Sequence, residues 1–211
     1  MDPMHRTRMA GFTLVELMMV IVVAAILLGV GIPSYKNITT SYRISGEING
    51  LLGDIQFARA EAIKEGQSVT ICALPANAGS TPSTCAAAGA STGWQNGWIV
   101  FPDPTGAQTG TGTNGWASVL RYQPPFSGNA PDTLVDRSSG TIAVTYNREG
   151  LIGGVGLSSG LNANNNDTFL SLRNSAANPQ YTRCLQITAV GATQVVQPAA
   201  NAVSSSNANC T

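Results

Sequence analysis

From Phe12 to Ile32 every position is apolar except Thr13, Glu16, Gly29 and Gly31. At about 1.5 Å per residue this run forms a helix roughly 30 Å long, enough to cross one hydrocarbon core. Past Pro33 the pattern changes but remains helical. Tyr35, Ile38, Tyr42, Ile48, Leu51, Leu52, Ile55, Ala58 and Ala62 recur at helical spacing, and Gly66 supplies a stop. Pro33 removes one backbone donor and crowds the preceding turn, so a kink is expected there. Gly46, Gly50 and Gly53 each weaken the second half by up to about 1 kcal/mol relative to alanine, so it needs a partner surface.

From Ser68 the period shortens to that of strands separated by turn-rich loops. The strands predicted are Val69–Leu74, Trp98–Phe101, Trp116–Tyr122, Thr133–Val135, Thr141–Tyr146, Phe169–Arg173, Arg183–Val190 and Gln194–Gln197. Asn147-Arg-Glu-Gly150 reads as a turn, and a hairpin is expected around Gly191. Trp94 and the segment Asn96–Phe101 read as core. Residues 103–115 and 158–167 are polar loops, and the tail after Pro198 is low in complexity. The fold class is α+β: a long N-terminal helix, membrane-spanning over 12–33 and amphipathic over 34–66, packed on an antiparallel β-sheet domain over 67–211.

Composition narrows the chemistry. Only 10% of residues are charged and the formal net charge is zero, against roughly 25% charged in an ordinary soluble domain. After Gly66 there are five arginines, five acids and no lysine, which form no basic stripe to track phosphates. Nucleic acid is therefore a disfavoured partner. The single histidine, His5, precedes the apolar run; once that tip is removed, His-dependent triads and His-ligated zinc are excluded. No catalytic residue, metal site or cofactor is expected. Cys72, Cys85, Cys184 and Cys210 are too widely spaced for a Cys-x-x-Cys motif. An even number in an exported chain favours two disulfides over four buried thiols. Cys72–Cys85 with Cys184–Cys210 is the simplest of the three connectivities, because it closes the shortest loops. The sequons at Asn37 and Asn166 and the glycine-rich segment 150–156 carry no functional weight: the sequon is a frequent chance pattern, and no helix follows the glycines.

The carboxylate of Glu16 is the anomaly in the apolar run, because a charge at a bilayer centre costs about 2.5–3.5 kcal/mol on insertion scales. It lies near the start of the run, so snorkelling to the interface is one explanation. A cleaved secretory signal would have a shorter core ending in small residues, and a simple anchor leaves Glu16 unexplained. Arg6 and Arg8 precede the run, which keeps the tip cytoplasmic and exports the remainder.

The stretch Gly11-Phe-Thr-Leu-Val-Glu-Leu17 resembles the class III signal of type IV prepilins and type II secretion pseudopilins. The resemblance implies that prepilin peptidase cuts between Gly11 and Phe12, that residues 1–11 are a leader, and that Phe12 is N-methylated. It also implies that Glu16 pairs with the N-terminal ammonium of a neighbouring subunit in the filament. Phe57–Cys72, with its Ala-Arg-Ala-Glu-Ala run, and Trp94–Pro104 look like the GspH/FimT family of minor pilins and pseudopilins. The fold implied is type IV pilin-like, and a Cys184–Cys210 bond would resemble the C-terminal disulfide loop of many type IV pilins.

The function implied is that of a structural minor pilin in the tip and priming complex of a type IV pilus. Its partners would be other minor and major pilins, prepilin peptidase, the inner membrane and a tip adhesin. Its place would be the inner membrane of a Gram-negative bacterium, with a periplasmic C-terminal domain, and later the pilus. Two alternatives remain open: a type II secretion pseudopilin and a DNA-binding minor pilin. DNA-binding relatives carry Gly-Arg-x-Arg in a C-terminal loop. The nearest segment here, Gly191-Ala-Thr-Gln194, lacks both arginines, so little counterion release would drive binding.

Overall fold

Helix α1 runs from Leu14 to Glu65 in the computed structural model, which describes residues 11–86, 93–104, 118–126, 132–136, 143–152, 168–174, 176, 178–188, 190–197 and 210. The chain divides into two compact units, Met1–Thr40 and Ser41–Thr211. In the first unit the helical residues from Leu14 onward carry the apolar run, and α1 continues through position 33. Its large side chains, among them Leu14, Ile21, Val22, Leu27 and Ile32, are exposed.

Among the described residues the second unit contains the rest of α1 and the strands β1 (Val69–Ala73), β2 (Trp98–Pro102), β3 (Arg121–Gln123), β4 (Thr133–Asp136), β5 (Ala143–Tyr146), β6 (Thr168–Arg173), β7 (Arg183–Ile187) and β8 (Thr193–Val196). These strands form two four-stranded sheets, in the orders β3-β2-β1-β5 and β4-β6-β7-β8. Every pairing is antiparallel.

A row of α1 side chains, Ile44, Ile48, Leu51, Ile55, Ala58 and Ala62, is completely or almost completely buried. This row recurs every three or four residues and forms the stripe along which a helix meets its core. Tyr35, Ile38 and Tyr42 differ from expectation. They are 69%, 51% and 76% exposed, and the buried row starts instead at Ile44. At 100° per residue Tyr42 lies some 200° from Ile44, on the side of the helix away from that row.

Facing this row, the first sheet contributes Val69, Ile71, Ala73, Val100 and Val144, and the second contributes Leu134, Leu170, Leu172, Leu185 and Ile187. Alternation along β1 sends Cys72 to the opposite face. There, with Leu74, Ile99, Phe101 and Ala143, it forms a second cluster, against which Cys85 and Tyr122 pack. Because β1 is covered on both faces, all five of its residues are buried. Trp94 and Trp98 are core residues, as their segment predicts.

Each predicted strand overlaps an observed one, with bounds that differ: β2, β3, β4, β6 and β8 each run one residue past an expected end, and the others are shorter than expected. The expected strand from Trp116 begins only at Arg121, with residues 116 and 117 outside the described set. The strand expected to reach Val190 ends at Ile187, because Thr188 turns the chain: its carbonyl accepts from Gly191 N at 2.8 Å. Gly191 has φ +76°, and a Cβ there would lie 2.8 Å from the Tyr146 ring and 2.9 Å from the Gly150 carbonyl, so only glycine fits this turn. Asn147–Gly150 is a turn closed by Gly150 N donating to the Asn147 carbonyl at 2.9 Å. Residues 105–115 of the first polar loop and the whole of 158–167 lie outside the described residues, as do the sequon at Asn166 and the tail over 198–209.

Cys72 is bonded to Cys85 and Cys184 to Cys210, with Cα–Cα distances of 5.6 and 5.8 Å. The second bond fixes Cys210, itself buried, beside the β6–β7–β8 ladder. Closing a loop of this length stabilises the fold by about 3 kcal/mol through the restricted unfolded chain. A Cys184→Ala/Cys210→Ala double variant is expected to lose about that much, read from the midpoint and slope of urea unfolding followed by tryptophan fluorescence.

Candidate functional site

Gly11 and Phe12 precede α1, and Thr13 is its N-cap. The Thr13 hydroxyl accepts from Glu16 N at 3.2 Å, and the Thr13 carbonyl accepts from Leu17 N at 3.2 Å. Glu16 is thus the third residue of the helix, at the spacing of a capping box and near the positive end of the helix dipole. Its side chain is exposed, as is that of Phe12. The capping role of Thr13 was not among the expectations, although Thr-Leu-Val-Glu at the head of an apolar run is a signal for it. Residues 1–10, including His5, Arg6 and Arg8, lie outside the described residues.

Within the second unit, three polar side chains of α1 each reach a different part of the β domain. Arg43 forms a two-pronged pair with Asp132, just ahead of β4: Nε donates to Oδ2 at 2.8 Å and Nη2 to Oδ1 at 2.7 Å. The Asp132 carboxylate is completely buried, whereas Arg43 is half exposed. Asp54 accepts from Trp98 Nε1 at 2.9 Å and from Arg121 Nη1 at 2.8 Å, tying α1 to β2 and β3. The Arg121 guanidinium also lies 3.8 Å over the Phe57 ring, a favourable placement for a cation. Arg59 donates to the Gly191 carbonyl at 3.2 Å, and the buried Tyr146 hydroxyl reaches the same oxygen at 3.5 Å. Burial raises the Tyr146 hydroxyl to about 12. Arg59 therefore braces the β7–β8 turn.

Glu47, one turn beyond Arg43, brings a second carboxyl against Asp132. Burial, then the charge and hydrogen bonding of Asp132, raise its carboxyl to about 7, with Arg43 opposing. Its Oε2 is buried without a hydrogen-bond partner. The arrangement has one cation for two acids, and it is stable when the second acid holds a proton.

The helix carries a run of bare apolar side chains and opens on a capped Glu, and the β domain is clipped by two disulfides. Residues 47–191 match the family described as type II transport protein GspH, and residues 6–32 match the prokaryotic N-terminal methylation motif. The chain belongs to the GspH family. Two crystal structures of the type IV minor pilin FimU of Pseudomonas aeruginosa are similar to it, each at 17% identity, with TM-scores of 0.49 and 0.46. The first covers 74% of this chain and 89% of FimU, the second 72% and 91%. No curated protein sequence matches the chain.

The carboxyl pair makes stability depend on pH. Folding raises the Glu47 pKa from its ordinary 4.5 to about 7. Between those values the folded state holds a proton that the unfolded state has released, so stability falls as pH rises through this window and levels off above it. Glu47→Gln keeps the shape without the titration. It is expected to remove this component of the slope between pH 4.5 and 7, measured by urea unfolding at a series of pH values.

Proposed function

We propose that this chain is a minor pilin, a structural subunit that enters the tip and priming complex of a type IV pilus. The observation that carries the reading is the exposed apolar half of α1. A run of 18 residues in it has a mean hydropathy of 2.7 and is not buried at all within the protein. Such a surface requires either lipid or other helices around it. Membership of the GspH family and the N-terminal methylation motif support helices as the final surroundings. Residues 1–11 are the leader, removed between Gly11 and Phe12 with methylation of the new N-terminus. The remainder spans the inner membrane once, with its C-terminal domain in the periplasm, until the filament takes it up.

Glu16 is the assembly charge. Its position near the helix start favours a carboxylate in the membrane, and in the filament it pairs with the ammonium of a neighbouring Phe12. Pro33 is the point at which α1 bends between its lipid-facing and domain-bearing halves. A type II secretion pseudopilin uses the same processing and the same helix, and the family description favours it. The disulfide that fixes Cys210 favours the pilus, in the way that C-terminal disulfide loops resemble those of pilins.

Two outcomes test this reading. Mass spectrometry of the subunit from sheared filaments is expected to give an N-terminal methylated Phe12; an intact leader on assembled subunits contradicts it. Glu16→Ala is expected to insert in the membrane at wild-type levels and to fall at least tenfold in sheared filaments, read by immunoblot of the two fractions. Equal recovery of both proteins in filaments removes the role given to Glu16.

A further inference from the structure

A cleft of about 190 Å³ opens between α1 and the edge of the first sheet, lined by Gly46, Glu47, Gly50, Trp98, Gln123 and Phe126. That volume is on the order of six waters' share of liquid, room for one side chain of moderate length. Gly46 and Gly50 form an open side: a Cβ at either would meet nothing within 4 Å. Trp98 and Phe126 form an aromatic wall, their rings edge to face at 6.0 Å. Aromatic faces attract cations and also cover aliphatic stems.

Charge decides what this cleft suits. Arg43 and Asp132 satisfy each other through two short hydrogen bonds. Glu47 is the surplus carboxylate, with Oε2 buried and unpartnered. An uncompensated charge in such a place is expensive, and two things can relieve it: a proton, or a cation brought from outside. We propose that the cleft seats a lysine or arginine side chain of a neighbouring filament subunit, with Glu47 as its counter-charge. The aliphatic stem lies along Phe126, which packs edge to face on the buried Trp98, and the charged end replaces the proton that Glu47 otherwise shares with Asp132. This inference rests on the filament reading for the source of the cation, but the site itself belongs to the single chain.

The occupant competes with a proton, so seating strengthens as pH rises through the Glu47 titration near 7. Arg43 from the same helix and Asp132 from the segment before β4 are the charges that face Glu47. Asp54 and Arg121, farther along Trp98, are paired with each other. Gln123, Trp98 and Phe126 on the opposite wall bring no titratable group.

The test uses the full chain in detergent micelles and n-butylammonium chloride as the probe, with n-butanol and sodium chloride as controls. The Glu47 carboxyl is followed by carbon-13 NMR as pH is varied. The expected result is a drop of about one unit in the Glu47 midpoint at saturating butylammonium, a tenfold preference of the probe for the ionised form, with no drop in either control. Gly50→Leu, which fills the cleft from a position with open space beside it, is expected to abolish the drop while leaving the probe-free titration in place. An unchanged midpoint, an equal response to butanol, or a full response in Gly50→Leu overturns the site. Failure of the wild-type chain to enter filaments, with the probe result intact, overturns the filament source and leaves the site standing.

Discussion

The contact between the second half of α1 and the inner faces of both sheets is the interaction on which the described fold depends. Ile44, Ile48, Leu51, Ile55, Ala58 and Ala62 form one side of the core, and among the described residues no strand pair links the two sheets directly. Each large aliphatic side chain in that row contributes about 1.5–3 kcal/mol on burial. That gain offsets the cost of Gly46, Gly50 and Gly53, which would weaken an isolated helix. The same helix is therefore held by its neighbours over one half and left bare over the other.

Because so few charges are available, their positions matter. Arg43, Asp54 and Arg59 of α1 reach the segment before β4, the β2–β3 pair and the β7–β8 turn respectively. These directional contacts fix how the helix is rotated and how far it slides, which non-directional burial alone leaves loose. Removing Arg43 from its pair with Asp132 would leave a fully buried carboxylate uncompensated. Glu47 departs from this economy: a second acid beside a pair already satisfied lowers stability above neutrality and gives the surface next to Trp98 a need for positive charge.

Much of this was legible in the chain. The strands announced themselves through short β-branched runs bounded by Gly, Asn and Pro, and the length of the apolar run marked the bare half of α1. The misses have local causes. Tyr35, Ile38 and Tyr42 share the helical period of the buried row, and period alone does not say which face meets the sheets. Ile44 went unnoticed between Arg43 and Ser45 for the same reason. Division of the strands into two sheets depends on pairings such as β1 with β5 and β4 with β6, separated by long stretches of chain. The Thr13 cap is written in the Thr-x-x-Glu spacing, although a glutamate in an apolar run also reads as a charge in lipid. The carboxyl pair of Glu47 and Asp132 was not readable, since the two acids lie far apart in sequence and meet only through packing.

On the filament reading, the bare half of α1 passes from lipid to other helices while the packed half keeps its partners. Photo-crosslinking from a benzophenone side chain at Val22 measures this most directly, with Ile48 as the reference position. The expected result is lipid adducts at Val22 in membranes, adducts to neighbouring subunits at Val22 in sheared filaments, and intrachain adducts alone at Ile48 in both. Lipid adducts that persist at Val22 in filaments, or intrachain adducts there in membranes, would contradict it.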